Sequence, residues 1–157
     1  MKHTLFSRLT MVVAVALLVA PAFVHAQDSR QCSNATSAGS WGFTTNGVLL
    51  LPTGAVPVTA AGRFTQDIDG NLVGSQVRSV GGGVARETFT GTVTTNPDCT
   101  AKYTINVYDD FGNLVRTSVL DAVFTNNGKK AHVVFESVVL PNGSSLPSVL
   151  SIDGDKQ

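Results

Sequence analysis

Between residues 62 and 140, short runs of alternating hydrophobic and polar residues are separated by turn-forming tripeptides. The clearest run is 100–108, where Ala, Tyr, Ile and Val occupy every second position and Lys, Thr and Asn lie between them. A period of two is typical of a β-strand with one buried face. The tripeptides are rich in Gly, Asn and Asp, which favour tight turns. The pattern therefore predicts a series of antiparallel hairpins, with turns at 69–71, 81–83, 96–98, 111–113 and 126–128.

About eight strands are predicted, and no helix pattern occurs outside the N-terminal segment. A loop containing Pro52, Gly54 and Pro57 is expected after the first strand. The short connections favour an all-β antiparallel meander, and a closed or nearly closed small β-barrel would leave no exposed sheet edge. A β-sandwich is the alternative. The predicted strands are 41–51, 63–68, 72–80, 87–94, 100–108, 114–125, 129–140 and 146–152.

Residues 1–26 have the features of a secretory signal peptide. Lys2 and Arg8 precede an apolar run over 9–24, and the small residue Ala26 ends the segment. The run is short for a membrane anchor and contains Pro21. We therefore expect a secreted or periplasmic protein without stable membrane insertion after cleavage. Its predicted parts are a signal peptide (1–26), an extended or poorly ordered polar arm (27–40), one barrel domain (41–152) and a polar tail (153–157).

Cys32 and Cys99 are the two cysteines of the chain. In an exported protein, an even number of cysteines favours a disulfide. The loop from residue 32 to residue 99 would contain 68 residues, and closing it would stabilise the fold by roughly 4 kcal/mol. The alternative is two free thiols, because the sequence does not show that the two cysteines meet.

Composition and motifs argue against several classes of partner. The chain has 11 basic and 11 acidic residues and no basic run, so no nucleic-acid partner is expected. No Cys/His cluster or phosphate-binding Gly-rich strand–helix junction is present. Residues 67–71 match the start of a calcium loop, but Arg78 stands where the bidentate Glu would be needed. We therefore predict no metal and no cofactor.

Catalytic residues are not evident. His132 is the one imidazole after residue 26, and it falls on the polar phase of its predicted strand, where it is expected to be solvated. Glu87 shares the phase of Phe89 and Val93, which would direct it into the barrel. The alternative places Glu87 at a solvated strand end.

Several of these segments, including 62–64, 69–75, 88–93 and 96–100, resemble a group of small exported bacterial proteins of unknown function. The resemblance covers roughly residues 41–140 and rests on turn and strand motifs. Those proteins are distantly similar to allene oxide cyclase and lipocalin-like barrels. The resemblance implies a small barrel with a lumen, and it transfers no catalytic residue to this chain.

An eight-stranded barrel is just wide enough to be filled by its own side chains or to hold one small ligand. We therefore predict a non-catalytic protein that binds a small apolar molecule in its lumen. One alternative is a structural or surface-interaction module using the Thr-rich strand faces, and a third is a cyclase or isomerase using Glu87 and Tyr103. The predicted ligand-binding residues are Phe64, Val77, Glu87, Phe89, Tyr103, Ile105, Val107, Phe124 and Phe135.

Overall fold

The structure is a computed structural model, and it describes residues 31–157. Eight antiparallel strands pair in chain order, and the last pairs with the first to close a barrel. The predicted all-β meander barrel is confirmed, and the β-sandwich alternative is wrong. The predicted signal peptide lies outside the described residues. The strands are β1 (Gly39–Leu51), β2 (Gly54–Gln66), β3 (Asn71–Val80), β4 (Gly83–Thr95), β5 (Thr100–Tyr108), β6 (Leu114–Thr125), β7 (Lys130–Val139) and β8 (Ser148–Lys156).

A short helix, α1 (Asn34–Ser37), lies across one end of the barrel, which we call the closed end. The Asn34 side chain donates to the Val93 carbonyl at 3.1 Å and accepts from the Thr95 N–H at 2.9 Å. The indole N–H of Trp41 donates to the Ser37 carbonyl at 2.9 Å. These bonds seat the helix on the barrel. At the opposite, open end lie the connections 52–53, 81–82, 109–113 and 140–147.

The predicted disulfide is present. Cys32 and Cys99 are bonded, with their Cα atoms 4.9 Å apart, and the Cys32 N–H donates to the Pro97 carbonyl. The bond joins the segment before α1 to the turn between β4 and β5. The polar arm is thereby fixed to the closed end from Cys32 onward.

Three predicted boundaries are wrong. The predicted arm was expected to be extended or poorly ordered, whereas residues 34–37 form a helical turn capped by Ser33. The predicted tail continues β8 to Lys156: residues 153–156 pair with β1, and the charged side chains of Asp153 and Asp155 face outward. The predicted loop at 52–62 is mostly β2. This strand tolerates Pro57 because the proline precedes the first β2–β3 residue pair, Val58 with Val80.

Aromatic side chains fill the closed half of the barrel. Trp41 stacks on Phe64 with ring centroids 6.1 Å apart, and Phe43 meets Phe89 edge-on at 5.9 Å. Phe124 packs against Trp41 from the opposite wall. This packing leaves a void of about 50 Å³, which we call the aromatic void. None of the helical structure in residues 31–157 has the length and hydrophobicity of a membrane-spanning helix.

Candidate binding site in the open half of the barrel

A charged cluster lies inside the barrel above the aromatic core. Glu87 points inward from β4, and its side chain is 2% exposed. Arg116 on β6 donates one hydrogen bond to each carboxylate oxygen, from Nη1 to Oε1 and from Nη2 to Oε2, both at 2.8 Å. Arg78 Nε donates to Oε1 at 2.9 Å, and Gln76 Nε2 donates to Oε2 at 2.7 Å. We call Gln76, Arg78, Glu87 and Arg116 the polar layer.

Strand alternation places these side chains together. On β3, Gln76 and Arg78 share the inward phase of the buried Leu72. On β6, Arg116 shares the inward phase of the buried Leu120. Successive residues of a strand point to opposite faces, so residues two apart line the same side. Three strands therefore direct the polar layer into one level of the barrel.

The polar layer holds Glu87 as an anion and carries a net positive charge. Burial raises the pKa of Glu87, but hydrogen bonds from Arg116 and Gln76 and the charges of Arg116 and Arg78 lower it overall from 4.5 to about 2. Two arginines facing one carboxylate leave one positive charge in excess. Each guanidinium has five N–H groups. Arg116 donates two hydrogen bonds to Glu87, whereas Arg78 donates one from Nε and places its Nη2 2.9 Å from Oε1. At least three N–H groups on each arginine are therefore not directed at Glu87.

A cavity of about 240 Å³ opens above the polar layer, and we call it the mouth cavity. Its polar wall residues are Thr45, Gln76, Arg78 and Arg116. The rest of the wall is apolar and comes from β1, β2, β3, β6, β7, β8 and the connection at 140–147. The apolar members are Leu49, Val58, Ala60, Val80, Val115, Phe135, Val138, Leu140, Leu146 and Leu150.

A second, smaller cavity lies on the other side of the polar layer. This inner cavity has a volume of about 40 Å³ and shares Gln76 and Arg116 with the mouth cavity. Ser118 lines it from β6 and is 2% exposed. Its hydroxyl oxygen is buried and has no hydrogen-bond partner among the described residues. An unsatisfied buried hydroxyl typically costs about 1–3 kcal/mol.

Most of the predicted ligand-binding residues point inward but lie in different parts of the barrel. Four of them surround the small aromatic void: Phe64, Phe89, Tyr103 and Ile105. Phe124 is packed against Trp41 at the closed end. Val107 lines the inner cavity, and Phe135 lines both the inner and the mouth cavity. The predicted set is therefore chiefly core, with Phe135 at the larger cavity.

Two expectations about inward-facing residues need correction. Val77 was expected to line the lumen, but it is 41% exposed on the outer wall. The reason is register: β3 turns Gln76 and Arg78 inward, so Val77 must face outward. The solvated-strand-end interpretation of Glu87 is also wrong, because its carboxylate is buried in the polar layer.

Sequence reasoning missed Gln76, Arg78, Arg116 and Ser118. A signal was available, since each lies an even number of residues from a buried leucine on its own strand. Because Val73 and Val77 are hydrophobic, they were predicted to face the lumen, which put Gln76 and Arg78 on the wrong face of β3. Exposed valines are tolerated on the outer wall because β-branched residues suit a pleated surface.

The polar groups considered for catalysis do not form one site. Tyr103 pairs with Val93, which lies six residues along β4 from Glu87, or about 20 Å of extended strand. Burial raises the pKa of Tyr103. His132 is exposed on the outer wall, as expected, with Nδ1 2.9 Å from Asp153. Among residues 31–157, no group of three His, Cys, Asp or Glu side chains is arranged to hold a metal ion.

The residues at 67–71 form a turn. The Asp67 carboxylate accepts the backbone N–H groups of Asp69 at 3.0 Å and Asn71 at 2.8 Å. Its second oxygen accepts the side-chain amide of Asn71 at 2.9 Å. Both carboxylate oxygens therefore accept hydrogen bonds within the β2–β3 turn, as expected for an Asx turn.

Comparison with known proteins adds no family to this description. No protein-family model matches the chain, and the search of curated proteins found no match.

Proposed function

We propose that this protein is an exported binding protein that takes a small molecule with an apolar body into the mouth cavity. The observation that carries the proposal is the mouth cavity itself, whose wall is mainly apolar with a few convergent polar groups. Binding sites for small molecules typically have this composition. At about 240 Å³ the cavity is smaller than a typical drug-sized pocket of about 300–1,000 Å³. The ligand is therefore small or extends through the opening.

The closed half offers less room for a ligand. Its void is about 50 Å³, whereas a cavity of about 150 Å³ is known to accept benzene. Enlarging the void would separate rings that now stack or meet edge-on. We therefore place the ligand above the polar layer and not among the aromatic residues predicted from the sequence.

The alternative functions receive weaker support. An enzyme using Glu87 as a general base would need a carboxylate with a pKa near the operating pH, but the pKa of Glu87 is about 2. An interaction module would use the outer wall, where Thr88, Thr90 and Thr92 are exposed on β4. Such a module needs no internal cavity. The distant relationship to allene oxide cyclase and lipocalin-like barrels stays a prediction.

The proposed secreted or periplasmic location has one structural support. The Cys32–Cys99 disulfide is of a kind that persists in oxidising compartments. The signal peptide predicted from the sequence over 1–26 agrees with the same location.

A cavity-filling substitution tests the proposed site. Ala60 lines the mouth cavity, and its neighbour Ala61 faces outward. The neutral fluorescent probe N-phenylnaphthylamine should brighten on binding to the wild type. We expect Ala60→Phe to reduce this binding at least about 10-fold by filling the cavity, and the matched Ala61→Phe to retain it. Val58→Phe provides a second filling variant if Ala60→Phe fails to fold.

Circular dichroism would establish that each variant retains the barrel. A folded Ala60→Phe protein that binds the probe as tightly as the wild type would place the bound probe elsewhere. Absence of probe binding to the wild type would contradict the proposed function.

A further inference from the structure

We infer that the ligand is a monoanionic amphiphile whose charged head group binds Arg78 and Arg116 and whose apolar chain points toward the open end. This inference rests on the proposed function and specifies the chemistry of its ligand. The head group is of carboxylate or sulfonate type, with a few acceptor oxygens and one negative charge. Three features of the open half support it.

The first feature is the surplus charge of the polar layer. Arg116 alone binds both oxygens of Glu87, so neutralising that carboxylate does not require a second arginine. Arg78 adds a positive charge at the wall of the mouth cavity, where its side chain is 27% exposed. A monoanion would balance this charge and accept hydrogen bonds from the arginine N–H groups that are not directed at Glu87. Charge-assisted bonds of this kind are short and strong, especially away from bulk water.

The second feature is the Ser118 hydroxyl, which has no hydrogen-bond partner among residues 31–157. This group lies two residues along β6 from Arg116 and lines the inner cavity, which Arg116 also lines. A hydroxyl donates one hydrogen bond and accepts two. An acceptor oxygen entering between Gln76 and Arg116 would satisfy the Ser118 hydroxyl. An anionic oxygen would therefore both accept a hydrogen bond from the Ser118 hydroxyl and balance the excess positive charge of the polar layer.

The third feature is the polarity gradient of the mouth cavity, which sets the orientation of the ligand. Three of its polar groups, Thr45, Gln76 and Arg116, also line the inner cavity and so lie at the inner side of the mouth cavity. Leu140 and Leu146, on the connection at the open end, supply apolar surface farther out. An amphiphile bound with its charge inward would place its chain against these leucines. The reverse orientation would leave the chain beside the guanidinium groups and the charge among leucines.

A head-group series tests the inference. Decanoate, decanol and decyltrimethylammonium have the same chain length and differ in charge. Their binding to the folded protein would be measured by isothermal titration calorimetry. We expect decanoate to bind about 10- to 100-fold more tightly than decanol, which is the range for a hydrogen-bonded charge. The ammonium compound should bind most weakly.

Variants assign that preference to the polar layer. Arg78→Gln keeps the Glu87–Arg116 pair and removes the surplus charge, so the ratio of decanoate to decanol affinity should fall to about one. Ser118→Ala should weaken decanoate binding several-fold with no loss of stability. Arg86→Gln, the same substitution at an exposed position of β4, should change neither ligand's affinity.

The possible failures are distinguishable. Equal binding of decanoate and decanol, or an unchanged preference in Arg78→Gln, would overturn the anionic ligand while leaving the proposed binding function intact. If none of the three compounds and no N-phenylnaphthylamine bound, both the proposed function and this inference would be wrong.

Discussion

Glu87 is a buried carboxylate that remains charged because N–H groups from three side chains surround it. Arg116 provides a two-point contact, and Arg78 and Gln76 complete the shell. Removing one member of a buried ion pair commonly costs about 3–5 kcal/mol, because the remaining charge loses its partner. At the scale of single residues, this cluster is therefore the point in the open half where one substitution matters most.

The polar layer makes the stability of the fold depend on pH. The folded-state pKa of Glu87, about 2, lies below the ordinary value of 4.5. Its contribution is therefore complete above about pH 4.5 and is lost as the pH falls toward 2. We expect Glu87→Gln to destabilise the protein by about 3 kcal/mol at neutral pH. The variant should also lose less stability than the wild type between pH 4.5 and 2.

Urea denaturation at a series of pH values would measure this difference. Glu136→Gln is the matched control, since Glu136 is the other glutamate of the chain and pairs with Lys102 on the exposed wall. It should have a small effect at neutral pH. Parallel stability–pH curves for the wild type and Glu87→Gln would contradict the role assigned to Glu87.

The inward position of Glu87 could be predicted from its phase with Phe89, but its partners were missed, because on β3 the phase of Leu72 competes with that of Val73 and Val77. On β3, Val73 and Val77 face outward, whereas Gln76 and Arg78 face the lumen. Hydrophobicity alone therefore gave the wrong face for Val77. Recognising Gln76 and Arg78 required knowing that Glu87 lay across from them and needed donors, which is a tertiary relationship.

At the scale of elements, α1 is held to the barrel by side-chain hydrogen bonds, of which Asn34 makes three. Asn34 bridges the β2–β3 turn and the end of β4. A four-residue helix has too few internal bonds to be stable alone. Its position therefore depends on its bonds to the barrel, which include those of Asn34, the Trp41–Ser37 and Gln66–Ser37 hydrogen bonds, and the disulfide.

Substitution of Asn34 tests this dependence. Asn34→Ala removes the acceptor of the Thr95 N–H and the donor to Val93, so we expect a loss of about 1–3 kcal/mol in unfolding free energy. Asn34→Asp keeps an acceptor for Thr95 but places a carboxylate oxygen against the Val93 and Asp69 carbonyls, so it should lose at least as much stability. Urea denaturation at neutral pH measures both, and equal stability of Asn34→Ala and the wild type would show that α1 does not depend on this residue.

The strands were more predictable than the helix for a physical reason. A strand such as β5 can be recognised in the sequence because hydrophobic and polar residues alternate over its nine positions. In contrast, α1 has a single turn, which is too short for a helical period to appear. Its capping pair, Ser33 and Thr36, is also common in turns.

At the scale of the whole molecule, the barrel has a packed closed half and an open half with the two polar-lined cavities. The disulfide lies entirely in the closed half and joins residues separated by 67 positions. Cross-links across loops of this length stabilise a fold mainly by restricting the unfolded chain. The disulfide and the mouth cavity therefore lie at opposite ends of the molecule.

Removing the disulfide tests this division. We expect the double variant Cys32→Ser with Cys99→Ser to lose roughly 4 kcal/mol of unfolding free energy. In the absence of denaturant, the folded fraction should bind N-phenylnaphthylamine with wild-type affinity. Reduced wild-type protein should behave in the same way, and a loss of affinity in folded protein would show that the two ends are coupled.

The number of strands and their closure could be predicted because the turns are regularly spaced and the connections are short. The cavities could not, because a void is the difference between the barrel's interior and the summed side-chain volumes. Ala60 and Val58 leave space in the open half, whereas Trp41 and Phe64 fill the closed half. That distribution depends on the level of each residue in the barrel, which follows from strand register.

The meeting of the first and last strands has a practical consequence. Trp41 on β1 pairs with Lys156 on β8, and the Gln157 N–H donates to the Ser40 carbonyl. The start of the barrel and Gln157 thus lie side by side at the closed end. A tether attached at Gln157 would hold the protein with its open end facing the solution, so a sensor surface coated in this way would expose the mouth cavity of every molecule to the analyte.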